Sequence, residues 1–270
     1  MIMRAIPLFF ALLAFSFVAC EKVIDIDLNS TDPRIVIEAN LSDTLGECTV
    51  SLTRTLNFDD TIAFPRLSGA LITLRDLASG TVDTIPELSP GHYAKPSLAG
   101  ISGRSYELTV LYEGQSYTAR GTMPPKVNLD SILVDSTRFT GPRGPATSDG
   151  RRPVNLLVFP IFSEPAGQSN QYYFQVTQRD TLNDNFFIYS DLGADGQALL
   201  RPIFVQTWEQ AEVIIDLQCI DQATYTYLEG LNLNLGQNSA TPSNPAGNFS
   251  NGALGHFKVH TTSKKRFIVQ

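Results

Sequence analysis

Between Pro33 and Met123 apolar residues return at every second position in short runs broken by turn residues. That is the period of a half-buried strand rather than of a helix. Ile35, Ile37 and Ala39 share one parity and alternate with Arg34, Val36 and Glu38. Cys48-Val50-Leu52, Ala70-Ile72-Leu74, Val82 to Ile85 and a short run around Tyr93 follow. The plainest case is a hairpin: Tyr106, Leu108, Val110 and Tyr112 alternate with polar residues, Glu113-Gly114 turns the chain, and Tyr117 and Ala119 return. About seven such strands in roughly ninety residues predict an immunoglobulin-like or transthyretin-like sandwich over residues 33–123.

Pro124-Pro125 ends that pattern, because neither proline donates a backbone hydrogen bond and a ladder cannot run through them. A strand from Leu129 to Val134 opens a second β-rich domain, residues 126–270, and the segment Phe139 to Pro153 reads as an exposed loop. Strand signals resume at Val154 to Phe162, Tyr172 to Thr177, Phe186 to Tyr189, Ile203 to Trp208 and Val213 to Ile220. One segment has helical spacing: Asp221 is positioned to cap a helix whose apolar side runs through Tyr225, Leu228, Leu231 and Leu235 to Gly236. Thr241 to Gly255 is irregular, and Phe257-Val259 and Phe267-Val269 are predicted as closing strands separated by a solvated turn at Lys264-Lys265-Arg266. The fold class is therefore mainly β, two domains with one short helix.

The first residues have a different character. Arg4 precedes an apolar run from Ile6 to Phe17 that is too short to span a bilayer comfortably and ends at Ala19-Cys20. This predicts a lipoprotein signal peptide over residues 1–19 with lipid attachment at Cys20, and then an acidic tether over residues 20–32 containing Glu21, Asp25 and Asp27. Acyl chains on Cys20 would tie the protein to a membrane without embedding it.

Acidic residues outnumber basic ones 27 to 20, which disfavours a nucleic-acid partner held through its phosphates. Beyond Cys20, Cys48 and Cys219 share parity with their apolar neighbours and read as buried, unpaired small hydrophobes in separate domains. His256 and His260 are four apart, but strand geometry separates them by about 13 Å, so they do not chelate one ion. Asp180 to Asn185 and Asp191 to Gly196 carry hard oxygen ligands yet follow no calcium-loop pattern, and read as solvated turns. Neither a nucleophile elbow, nor a phosphate loop, nor a dinucleotide fingerprint is present, so no catalytic residue, metal or cofactor is assigned. Aromatic residues concentrate in the second domain, where Tyr173, Trp208, Tyr225 and Tyr227 are candidates for ligand or partner contact. Most aromatics of that domain also suit a core; Tyr173, pointing opposite to Tyr172 and Phe174, is the surface candidate.

Several stretches together resemble a known family. Cys20-Glu21-Lys22-Val23-Ile24-Asp25, Ile35-Val36-Ile37-Glu38-Ala39, Val50-Ser51-Leu52-Thr53-Arg54-Thr55, Gly103-Arg104-Ser105-Tyr106-Glu107-Leu108 and Gly121-Thr122-Met123-Pro124-Pro125 follow one another in order. Tyr225-Thr226-Tyr227-Leu228 and the run Asn248 to Phe257 continue the likeness toward the carboxy terminus. The chain resembles the domain-of-unknown-function 4249 lipoproteins of Bacteroidota. The resemblance implies an outer-membrane lipoprotein encoded near a TonB-dependent receptor, a non-catalytic partner in ligand capture or uptake, and it brings no catalytic residues with it. The alternatives are a stand-alone surface protein that binds glycan or peptide and, behind it, an envelope hydrolase.

Overall fold

The computed structural model describes residues 32–56, 63–135, 150, 152–178, 181–182, 185–193, 195–197, 201–235 and 244–270. The predicted signal peptide, Cys20, the acidic tether up to residue 31, most of the Phe139 to Pro153 loop, part of Asp180 to Asn185, and Gly236 lie outside the described residues.

The first half contains β1 (Ile35–Ser42), β2 (Thr49–Arg54), β3 (Leu71–Asp76), β4 (Val82–Ile85), β5 (Glu87–Ser89), β6 (His92–Ala94), β7 (Ser105–Tyr112) and β8 (Gln115–Thr122). The second contains β9 (Leu129–Asp135), β10 (Pro153–Phe162), β11 (Gln171–Gln178), β12 (Thr181–Leu182), β13 (Phe187–Ser190), β14 (Ile203–Trp208) and β15 (Glu212–Ile220). Helix α1 (Gln222–Leu235) and a long strand, β16 (Leu254–Ile268), complete the chain. The β7–β8 hairpin turns at Glu113 and Gly114 with φ of 48° and 78°, the left-handed pair that a tight two-residue turn needs.

Three sheets result. One nine-stranded sheet runs β12-β11-β15-β16-β1-β2-β6-β5, with β13 also on β11; a four-stranded sheet runs β4-β3-β7-β8 and a three-stranded one β14-β10-β9. The large sheet supplies one wall to each of two cores. Ile37, Val50 and Leu52 meet Ile72, Leu108 and Val110 of the four-stranded sheet in the first. Tyr172, Phe174, Val213 and Ile215 meet Leu156, Val158, Ile203 and Val205 of the three-stranded sheet in the second, where Phe162 sits edge-on to Tyr172 at 5.1 Å.

Strand β16 joins the two. Its first part pairs in parallel with β1, Val36 opposite Leu254 through Ser42 opposite His260. The remainder pairs antiparallel with β15, from Ile220 opposite His260 to Glu212 opposite Ile268. Because side chains alternate faces along a strand, one parity serves both cores: Phe257 and Val259 enter the first, while Phe267 packs against the second and Val269, just past the strand, is buried in it.

This revises two expectations. The two closing strands are one, and Lys264, Lys265 and Arg266 stand inside it, register partners of Asp216, Ile215 and Ile214. The Pro124-Pro125 step does separate Met123 of the first core from Val127 of the second, but the first core is finished by Phe249, Ala253, Phe257 and Val259 from the far end of the chain. Sandwich 33–123 is therefore not closed by its own residues.

Candidate functional site

The face of the nine-stranded sheet turned away from both cores is polar across its middle. On β16 the even positions His256, Lys258 and His260 point there, opposite Phe257 and Val259. Glu38 and Asn40 of β1 lie beside them in register with His256 and Lys258; Thr49 and Ser51 of β2 extend the row. On the other flank β15 contributes Asp216 and Gln218, and β11 contributes Gln175 and Tyr173.

Helix α1 roofs part of this face. Asp221 caps it as the sequence predicts, its Oδ1 accepting the Thr224 amide at 2.8 Å, and its Oδ2 accepts the Thr122 amide at 3.3 Å. The cap sets the helix directly after β15, so that Thr224, Tyr227, Leu228 and Leu231 face the sheet. Between helix, Phe186 and sheet lies a cleft of about 530 Å³, within the range usual for small-molecule sites.

The floor of the cleft is hydrogen-bonded in a chain. Lys258 Nζ donates to Gln218 Oε1 at 2.8 Å and stands 5.5 Å from the centre of the Tyr173 ring. Gln218 Nε2 donates to Gln175 Oε1 at 3.1 Å and to Asp216 Oδ2 at 2.9 Å, and the Thr262 hydroxyl donates to Asp216 Oδ1. Burial governs the protonation of these groups. It pushes the Lys258 amine down to about 8, with the Asp216 carboxylate opposing, and raises Asp216 above the usual carboxylate range.

The two histidines are neutral for the same reason. Burial takes His256, 5% exposed, down to about 4, and takes His260, 1% exposed, well below the ordinary imidazole value. His256 Nε2 is 3.0 Å from Thr224 Oγ1, and its ring stacks on Tyr227 with centroids 4.6 Å apart and planes 15° from parallel. His256 Nδ1, both nitrogens of His260 and Asn40 Oδ1 have no hydrogen-bond partner among the described residues. Polar atoms so buried cost about 1–3 kcal/mol each when left unpaired.

The candidate contact residues divide. Tyr173 and Tyr227 line the cleft, whereas Tyr225 packs in the small cluster under the helix and is not among the lining residues. Tyr173 is only 6% exposed, which corrects its reading as a surface residue. It does point away from the second core, but α1 covers that face, with Leu228 and Phe186 against the ring. Trp208 is half-buried at the end of β14, in register with Pro153 on the three-stranded sheet, and lies apart from the cleft. Lys258, Asn40 and Gln218 were missed as candidates, and His256 and His260 were weighed only as metal ligands. The signal available was a polar residue on one parity of an otherwise apolar strand, as at Asp216 and Gln218 within Val213 to Ile220.

A second polar grouping lies elsewhere. The carboxylates of Glu164, Asp191 and Asp195 come within 4.8 Å of one another, a donor set able to hold a hard cation. Their oxygens accept hydrogen bonds from Asn170, Tyr172, Gly167 and the Gly196 amide. Asp191 is 4% exposed, so the solvated-turn reading of that residue is corrected. Cys48 and Cys219 are buried in different cores and unpaired, as their parity predicts, and burial raises the Cys48 thiol to about 11.

Two β-sandwich cores on one shared sheet define a mainly β protein with a roofed polar cleft on the sheet's free face. Residues 21–266 match the family described as Domain of unknown function (DUF4249), and the chain belongs to that family. No curated protein matches it. Among solved structures it is similar to a two fibronectin type-III domain segment from chicken tenascin, at 12% identity and a TM-score of 0.22, covering 70% of this chain and 91% of that one.

Proposed function

We propose that the protein is a non-catalytic ligand-capture lipoprotein of the outer membrane, tethered through acyl chains on Cys20 and working beside a TonB-dependent receptor. The observation that carries the capture reading is the cleft over β16, with buried hydrogen-bonding atoms of His256, His260 and Asn40 that no group among the described residues satisfies. Binding sites keep such groups for a ligand, because the pairing then adds affinity and orientation together.

The non-catalytic reading rests on the family resemblance, which brings no catalytic residues with it.

Anchor and receptor rest on the leader sequence and on the family resemblance. Gentle detergent extraction of a tagged TonB-dependent receptor coexpressed with this chain tests them: the expected result is copurification of an acylated protein at a fixed ratio. Recovery of the lipoprotein alone would favour a stand-alone binder, and an unacylated amino terminus would remove the membrane from the account.

A further inference from the structure

We infer that the cleft takes an uncharged polyhydroxylated ligand, of the class of a mono- or disaccharide; the inference rests on the capture reading above. Charge is the first constraint. Glu38, Glu47 and Asp216 line the cleft and oppose an anion, while Lys258 in the middle of the floor opposes a cation. A neutral molecule avoids both penalties, which are severe where water is excluded.

Hydrogen bonding is the second constraint. A neutral imidazole offers one donor and one acceptor, and a hydroxyl group matches either. Both ring nitrogens of His260 are buried and without a partner among the described residues, and Asn40 Oδ1 is a further such acceptor on the neighbouring strand, in which Ser42 is the register partner of His260 and Asn40 that of Lys258. The lining mixes both kinds of group: Glu38 contributes carboxylate oxygens, Thr49, Ser51 and Thr224 contribute hydroxyls, and the Lys258 ammonium keeps N–H groups beyond the one given to Gln218. Such a surface asks for many hydroxyl groups, which both donate and accept, in a small volume. A peptide main chain brings one N–H per residue together with a carbonyl that the carboxylates repel.

Shape is the third. Phe186, Tyr227 and Leu231 make one side of the cleft apolar over a polar floor. A sugar ring has the same division, with hydroxyls at its edge and C–H groups on its faces that lie against aromatic carbon.

The test is isothermal titration of the full mature chain in detergent with glucose, galactose, mannose, N-acetylglucosamine, maltose and cellobiose, beside galacturonic acid, putrescine and trialanine. Saturable binding of at least one neutral sugar is expected, weakened about tenfold or more by Phe186→Ala and by Glu38→Ala, both at positions outside the sealed cores, with the melting transition retained. Sugar binding that neither substitution alters would overturn the assignment to this cleft. If only the acid, the diamine or the peptide binds, and binding is sensitive to Phe186→Ala, the ligand class is wrong and the capture reading stands. If nothing in the panel binds, the polyol inference falls; if soaking with lysate metabolites also leaves the wild type and Phe186→Ala indistinguishable, the capture reading falls with it.

Discussion

Gly255 of β16 lies against the backbone of Ile37 in β1, so close that a Cβ at position 255 would collide with the Ile37 carbonyl oxygen, and its φ of +92° belongs to the region that side chains avoid. Both facts require glycine there. The contact lets the returning strand enter parallel pairing with β1, and the first core and the cleft floor are both built on that pairing.

Gly255→Ala is therefore expected to destabilise the protein by about 2 kcal/mol or more, combining backbone strain with a steric clash. Urea denaturation measures it. Because Phe257, Val259 and Phe267 share one strand, fluorescence and far-UV circular dichroism should shift together; a change confined to a local transition would show that β16 does not couple the halves.

A fragment of residues 33–123 is expected not to fold. It lacks Phe257 and Val259, whose burial contributes on the order of 4 kcal/mol, a large part of the 5–15 kcal/mol of a typical domain, and it leaves the β1 edge unpaired. Its proton NMR spectrum should lack dispersed amide signals. Cooperative melting of the fragment would contradict the shared-sheet account.

Stability is expected to fall as pH drops from about 6.5 toward 4. His256 is held neutral down to about 4, so over that window the unfolded chain binds the proton and the folded one does not. The loss from this residue is roughly 3 kcal/mol at most, and His256→Gln should flatten the slope. Asp216, raised by burial, works in the opposite sense: the folded state holds its proton longer and gains stability as pH falls toward the ordinary carboxylate range. Lys258, lowered only to about 8, stays charged throughout. A pH slope left unchanged by His256→Gln would refute the neutral-histidine assignment.

With Cys20→Ala, Cys48 and Cys219 should resist a thiol reagent at neutral pH in the folded state and give two reactive thiols on denaturation. Burial raises both thiols and so suppresses the thiolate that reacts. Fewer than two thiols after unfolding would mean that they had paired.

Much of the fold was legible because it is local. The β7–β8 hairpin announces itself by parity and turn, and Asp221 with Tyr225, Leu228 and Leu231 announces α1. What was not legible depends on partners distant in sequence. Lys264-Lys265-Arg266 looks like a turn, yet pairing with β15 carries the strand straight through it, its exposed charges on a partly solvated stretch. Tyr173 was placed on the correct face of β11, but alternation says only which side a residue points to, not that a helix some fifty residues later will cover it. The cleft is a property of six strands and one helix meeting, and His256, Lys258 and His260 become a site only when Asn40 and Gln218 flank them.

Hydrogen–deuterium exchange with and without a bound neutral sugar tests the central claim most directly. The account predicts added protection in the segments 254–260 and 222–231, the floor and the roof of the cleft, and none along β9, β10 and β14. Protection concentrated on the three-stranded sheet, with the amides of β16 and α1 unchanged, would contradict it.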